Sequence, residues 1–410
     1  MKPQTLMLDA TAHRSLPAPP TSQILDCHYF QAGECRSCTE LLTPYLQQID
    51  AKNKRVQELI EAGQWDEPFA SRPQAFRNKV KLVVTGTVGR PKLGILGDDG
   101  RGVDLRDCPL PTPGIRGAIP AIARFITACR LEPYSPATNF GVLKYVIITE
   151  SDDGELMVRF VARRRGVQGV LFKRQTELRA MLPNIRVISL NVQPEHKAVI
   201  EGAEEILITE SDVLPMVLDI PALPESLTLN LRPQSFFQTN TDAAATLYHN
   251  AVTWLADAGN VWDLYCGVGG FALALAAART HGHIVGVETS EQAVQAASQT
   301  AKQMECADRV HFIADDATAW AARAGEMPDA VVVNPPRRGL SAELCQWLNE
   351  SGVSHVVYSS CNPETLARDI ARMPEYEVTR GQVVDMFPHT KHCEVIVLLV
   401  SRSKSRPAKR

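Results

Sequence analysis

Asp263-Leu264-Tyr265-Cys266-Gly267-Val268-Gly269-Gly270-Phe271 closes an apolar run that begins at Val261 and opens a segment rich in alanine and leucine. A β-branched run ending at a turn of closely spaced glycines, followed by helix-forming residues, reads as one strand–turn–helix unit. The glycines let the backbone pass close to a ligand, and the helix after them presents unpaired N–H groups. A dinucleotide fingerprint would place a third glycine three positions after the second. That position is Ala272, which argues against a pyrophosphate.

Downstream the same unit recurs. Candidate strands are Val261–Tyr265, Ile284–Glu288, Val310–Ala314, Ala330–Val333, His355–Ser359, Tyr376–Asp385 and Glu394–Ser401. Helical patterns fall at 271–280, 290–304, 317–324, 341–350 and 363–372. Successive βα units predict an α/β fold, an open parallel sheet with helices on both faces. The last two strands have no helix between them and read as an antiparallel hairpin. That is the pattern of a Rossmann-like, class I S-adenosylmethionine-dependent methyltransferase domain. Glu288 ends the second strand, where a carboxylate can accept hydrogen bonds from both hydroxyls of a ribose. Asp315 and Asp316 end the third, where an adenine amino group could be met. Gly267, Gly270, Glu288 and Asp316 are therefore candidate contacts to S-adenosylmethionine.

Upstream, from 76 to 220, short runs rich in valine and isoleucine (Lys79–Thr85, Val142–Thr149, Leu156–Ala162, Ile185–Asn191) suggest a largely antiparallel sheet with a few helices. The chain then divides into a leader (1–24), a cysteine-bearing segment (25–110) merging into a central α+β domain (76–235), a methyltransferase domain (236–402) and a basic tail (403–410). The 410 residues are 45% hydrophobic and 22% charged, the balance of a globular protein large enough for several cores. No apolar run is long enough to span a bilayer, and the first thirty residues lack the apolar centre of a secretory signal. The expected location is cytoplasmic. Ten cysteines there favour metal ligands, catalytic thiols or packing over disulfides.

The net charge of −3 hides local cationic stretches. Six basic residues and no acidic one lie between Arg72 and Lys92, and Arg163-Arg164-Arg165 form a run. Between Glu195 and Glu225 the balance reverses. The basic stretches are candidate phosphate contacts.

After the fourth strand comes Asn334-Pro335-Pro336-Arg337-Arg338-Gly339, and after the fifth Ser359-Ser360-Cys361-Asn362-Pro363. Cys361 lies between a strand end and a helix start, a position expected to lower a thiol pKa and favour thiolate. Asp385-Met386-Phe387-Pro388-His389-Thr390-Lys391-His392-Cys393-Glu394 joins the last two strands and brings Glu394 to the same end of the sheet. A thiol and a carboxylate are what methylation at carbon 5 of uracil requires. Thiolate addition at carbon 6 makes carbon 5 nucleophilic, and a base must later remove the carbon 5 proton. Cys361 is the candidate nucleophile and Glu394 the candidate base.

These motifs, with Arg232-Pro233-Gln234-Ser235-Phe236-Phe237-Gln238-Thr239-Asn240, resemble the RNA uracil-5 methyltransferase family from about residue 25 to 400. The resemblance implies that Gln238, Tyr265, Glu288 and Asn334 contact the cofactor. Some relatives carry aspartate at the Asn334 position. Cys27-x7-Cys35-x2-Cys38 and, after 69 further residues, Cys108 could by spacing hold zinc or an iron–sulfur cluster equally well. Ribosomal members of the family share the pattern and carry a [4Fe-4S] cluster, which makes 25–110 an iron–sulfur segment by resemblance. Only 26 residues precede Cys27, too few for the N-terminal β-barrel of one ribosomal subfamily. The resemblance therefore implies the shorter one, whose target is uracil 747 of 23S rRNA. The expected partner is 23S rRNA, with a monomeric enzyme, no membrane and no protein partner. The rivals are the same chemistry on another 23S rRNA or tRNA uridine, and an RNA-binding assembly factor without turnover.

Overall fold

A computed structural model describes residues 24–97, 99–196 and 199–402. The tail at 403–410 and, except for Ile24, the leader lie outside the described residues. The N-terminal segment holds a short helix α1 (His28–Gln31), a longer helix α2 (Tyr45–Leu59) and a two-residue strand β1 (Gln64–Trp65). Next comes a seven-stranded sheet built from β2 (Lys79–Thr87), β3 (Arg90–Leu96), β4 (Gly102–Asp104), β5 (Leu143–Glu150), β6 (Leu156–Ala162), β7 (Ile185–Val192) and β8 (Glu204–Leu207). Helix α3 (Pro113–Ala128) precedes β5, and α4 (Gln168–Met181) joins β6 to β7. The strand order is β4-β3-β2-β5-β6-β7-β8. Every pairing is antiparallel except β6 with β7, where α4 supplies the crossover a parallel pair needs.

Folding rearranges the charge stretches. Arg159 is buried against Glu205 at 2.6 Å and Glu201 at 2.9 Å. Lys81 pairs with Glu201 and Arg165 with Glu204. The acidic stretch thus neutralises part of the basic one. Lys79 donates to the Ser235 carbonyl, and burial pulls its ammonium down to about 8. Of the stretch from Arg72 to Lys92, Lys81, Arg90 and Lys92 are exposed, and the last two line an open groove with Arg106 and Arg124.

A hairpin of β9 (Leu214–Leu218) and β10 (Leu227–Leu231) packs its leucines into the core of the C-terminal sheet. That sheet follows helix α5 (Thr241–Trp254). It comprises β11 (Val261–Leu264), β12 (Ile284–Glu288), β13 (Val310–Ala314), β14 (Ala330–Val333), β15 (His355–Ser360), β16 (Tyr376–Val384) and β17 (Glu394–Ser401). Helices α6 (Gly270–Ala278), α7 (Glu291–Gln303), α8 (Ala317–Arg323), α9 (Ala342–Ser351) and α10 (Pro363–Ala371) connect the first six. Side-chain caps set the starts of α7 to α10: Ser290, Asp316, Ser341 and Asn362 each accept a backbone N–H of the first turn.

The order is β1-β16-β17-β15-β14-β11-β12-β13. β11 to β15 run parallel, and β17 inserts antiparallel between β15 and β16. β14 is buried at all four residues, as a central parallel strand must be. Succession along the sheet reverses between β11 and β14, so a crevice opens at their carboxyl ends. Because β17 is antiparallel, its first residue, Glu394, falls at that same edge. The expected strands, helices and hairpin of this half are all present. β1 adds an edge strand beside β16, and α2 packs Val56 and Ile60 into the core of this half.

Candidate active site

The register of β15 against β17 pairs Ser359 with Ile396 and Ser360 with Val395. Continued by one residue, it sets Cys361 opposite Glu394. On its other side Glu394 pairs with Val384 of β16. Glu394 is therefore enclosed between two strands and is 3% exposed. Its Oε2 is buried without a hydrogen-bond partner. Burial pushes its carboxyl up to about 8. Leaving a buried polar oxygen unpaired costs on the order of 1–3 kcal/mol, which a purely structural residue would not retain without return.

Cys361 is half-buried. Burial first, and the Glu394 charge second, push its thiol up to about 11, while the Arg337 guanidinium pulls it down. This corrects the expectation of a thiol lowered by the helix start. Pro363 has no N–H, and Asn362 Oδ1 accepts the N–H groups of Glu364 and Thr365 at 3.2 and 3.4 Å. The helix terminus is thus occupied by its own cap, and the thiol faces a carboxylate instead.

The Asn334–Gly339 loop is tied to this centre. The Arg337 carbonyl accepts Asn362 Nδ2 at 3.2 Å and Thr365 Oγ1 at 3.3 Å. Arg337 Nη2 lies 3.1 Å from His392 Nδ1. Both residues stand inside motifs that the sequence reading quoted, yet only the fold brings them together. Asn334 follows β14 directly, with its N–H 3.5 Å from the Leu264 carbonyl.

On the other side of the crevice, Tyr265 and Gly267 adopt left-handed backbone with φ of 66° and 54°. A Cβ on Gly267 would meet nothing within 4 Å, so this turn opens onto free space. A Cβ on Gly270 would fall 2.2 Å from the Tyr248 hydroxyl, so that glycine is required by packing. Glu288 accepts the Gly267 N–H through Oε2 at 3.2 Å and the Ser290 N–H through Oε1 at 2.9 Å. Asp316 caps α8. Gln238 is buried, and its carbonyl accepts Asn78 Nδ2 at 3.1 Å. Asp263, the first residue of the quoted turn motif and given no role by the sequence, is fully buried. Its Oδ2 accepts the Ala272 N–H at 3.0 Å, and its Oδ1 has no partner. Burial raises its carboxyl to about 7, against the Ala272 hydrogen bond and with help from Glu288.

Cys27, Cys35, Cys38 and Cys108 line one cavity of about 160 Å³, walled by Leu25, Leu41, Val80 and Ile95. Burial, then the charges of Cys108, Cys35 and Cys27, push the Cys38 thiol up to about 12. Among the described residues, no three His, Cys, Asp or Glu side chains are grouped so as to hold a metal ion.

The reversed parallel sheet, its antiparallel β16–β17 pair and the open glycine turn define a class I methyltransferase. Residues 226–349 match the methyltransferase small domain, and residues 326–402 match the tRNA (uracil-5-)-methyltransferase family. The chain is 43% identical over 382 residues to a 23S rRNA (uracil(747)-C(5))-methyltransferase, RlmC, of Serratia proteamaculans, covering 92% of this chain and all of that protein. It is 42% identical to the protein of the same name from Yersinia pestis, over 92% of this chain and all of that one. A crystal structure of the Pyrococcus abyssi tRNA (uracil-54, C5)-methyltransferase, in complex with S-adenosyl-L-homocysteine, superposes with a TM-score of 0.74. It is 25% identical and covers 88% of this chain and 85% of that one. The chain belongs to the RNA uracil-C5 methyltransferase family.

Proposed function

We propose that this enzyme methylates carbon 5 of a uridine in 23S rRNA, at the position its relatives modify, uracil 747. The observation that carries the chemistry is the cross-strand pair of Cys361 with Glu394, one half-buried thiol against one enclosed carboxyl with an unpartnered oxygen. Bound S-adenosylmethionine supplies an electrophilic methyl group. Gly267 leaves room for it, Glu288 would offer acceptors to its ribose, and Gln238, Tyr265, Gly270, Asp316 and Asn334 are the remaining candidate contacts.

In the free protein both groups hold their protons at neutral pH. Each must therefore release its proton to solvent before reaction: the thiol so that Cys361 Sγ can bond to carbon 6, with Arg337 as the cation that favours the thiolate, and Glu394 so that it can act as a carboxylate. The new S–C6 bond turns carbon 5 into the nucleophile that takes the methyl group. Glu394, as carboxylate, then removes the carbon 5 proton; the C5–C6 double bond re-forms and the S–C6 bond breaks. Enclosure of Glu394 keeps competing water from this base. The target base must be unpaired or flipped to reach the crevice.

By the resemblance, the four cysteines lining one apolar cavity would hold a [4Fe-4S] cluster, although their thiols are not grouped here so as to hold a metal ion. Burial pushes the Cys38 and Cys108 thiols up, and a cation-bearing group would favour them as thiolates. When bound, such a group would tie the segment carrying Cys27, Cys35 and Cys38 to the Cys108 turn.

The test is to map 5-methyluridine in 23S rRNA and in tRNA from cells with and without the protein, then restore it. We expect one 23S position to lose and regain its methyl group. Loss confined to tRNA would overturn the substrate assignment, and no loss in either RNA would overturn the function.

A further inference from the structure

Helix α2 buries one face made of Tyr45, Gln48, Ile49, Lys52 and Val56. A glutamine and a lysine on a buried stripe need partners. Both find them in the loop from Asp385 to Glu394. Lys52 Nζ donates to Asp385 Oδ1 at 2.6 Å, with the two side chains 4% and 2% exposed. It also donates to the Phe387 carbonyl at 3.1 Å. The Tyr45 hydroxyl donates to Asp385 Oδ2 at 2.6 Å, and Ser71 Oγ donates to the Asp385 carbonyl at 2.6 Å. Gln48 Oε1 accepts the His389 N–H at 2.9 Å, while its Nε2 donates to the Glu40 and Thr43 carbonyls. The Glu40 N–H donates to the His389 carbonyl at 2.9 Å.

Both backbone polar groups of His389 are thus held by the N-terminal segment. That residue is in left-handed backbone, with φ of 64°. Its Nε2 lies 2.6 Å from the Pro73 carbonyl and therefore donates, leaving Nδ1 to face Gln48 Nε2 at 3.3 Å. A strained residue persists only where its surroundings over-determine it. The two ends of this loop are Asp385 and Glu394, and Val384 is the strand partner of Glu394. Fixing Asp385 and His389 fixes the path by which the chain delivers Glu394 to Cys361.

We infer that Lys52 and Gln48 are positioning residues for Glu394, so that the N-terminal segment completes the base although it contributes no reacting atom. The inference rests on Glu394 being the base that resolves the covalent intermediate. Misplaced by a fraction of an ångström, Glu394 would slow proton removal while leaving addition and methyl transfer intact.

The experiment compares Lys52→Met, Gln48→Leu and Lys52→Arg with Glu394→Gln and wild type, on an RNA hairpin carrying the target uridine. Denaturing gels and mass analysis separate free methylated RNA from methylated RNA still bonded to protein. We expect Glu394→Gln to accumulate the bonded form. We expect Lys52→Met and Gln48→Leu to accumulate it too, with turnover slowed about 10- to 100-fold and the rate of adduct formation within about twofold of wild type. Lys52→Arg, which keeps the charge, should recover much of the turnover. Bonded RNA in Glu394→Gln but none in either α2 variant would overturn this inference alone. So would adduct formation and turnover falling in parallel, or both α2 variants failing to fold while Lys52→Arg behaves as they do. Absence of bonded RNA in Glu394→Gln would overturn the assignment of the base itself.

Discussion

Two thiols in this molecule, Cys361 and Cys38, are held protonated by burial first, and they differ in the neighbours that come next. At Cys361 the opposing neighbour is a carboxylate, Glu394, with an arginine near enough to compensate in part. At Cys38 burial is followed by three other thiols, with Arg77 as the compensating charge. The first arrangement is a nucleophile and a base waiting for a substrate to come between them. The second is four like donors around a cavity, which gains stability only when something positive fills it. The residue type is the same, and the neighbours decide what it can do.

The largest effect expected from this contrast is on turnover. Cys361→Ala should abolish both methylation and the bonded RNA, and a 5-fluorouridine target should fail to trap it. Its iron and sulfide content after anaerobic purification should equal that of wild type. Cys38→Ser should show the reverse pattern: loss of iron and sulfide, with the 5-fluorouridine trap retained in whatever fraction remains folded. A Cys361→Ala protein that still traps the analogue would break the contrast on one side. Stoichiometric zinc without iron in wild type would break it on the other.

How far the sequence could see follows the same division. Most of the C-terminal strands are legible because they are short apolar runs, and several are followed by a residue able to cap the next helix, such as Ser290, Ser341 or Asn362. The Cys361–Glu394 pair was legible as chemistry, since both lie at strand ends. Its strand-to-strand register and the enclosure of Glu394 were not. The direction of the thiol shift was not legible because burial and the Glu394 charge set it, while the helix start is occupied by its own cap. Charge counting could not separate Arg159, buried between two glutamates, from an exposed phosphate contact. Lys52 and Gln48 did leave a signal, two polar residues on the apolar stripe of α2. Their partners are more than 330 residues away in sequence, and no local pattern announces them.

A smaller effect tests the burial of Glu394 through stability. Its carboxyl moves from 4.5 to about 8 on folding. A group whose folded pKa is raised contributes fully below the unfolded value, and that contribution is lost as pH climbs to the folded one. Wild type should therefore lose stability between about pH 4.5 and pH 8 from this residue, on the order of a few kcal/mol. Glu394→Gln cannot ionise and should escape that loss. Urea unfolding at pH 5.5 and pH 8 should show the variant gaining on wild type as pH rises. Parallel stability profiles would mean that Glu394 is better solvated than its enclosure implies.

The smallest effect is on thiol reactivity, and it separates the two regions most directly. Alkylation consumes the thiolate, so at pH 9 a thiol of pKa about 11 reacts through roughly one molecule in a hundred. Glu394 is ionised at that pH and opposes the thiolate. Glu394→Gln removes the opposing charge but leaves the burial, which is the larger cause. Cys361 should then be alkylated several-fold faster at pH 9. At pH 6, where Glu394 is itself neutral, the two proteins should react alike. Cys38 should ignore this substitution at either pH, because burial and the neighbouring thiols, not Glu394, push its thiol up. Peptide mass mapping after timed alkylation reads both sites in one experiment. Equal Cys361 rates in wild type and Glu394→Gln at pH 9 would show that the carboxylate does not face the thiol, and the pairing drawn from the strand register would fail.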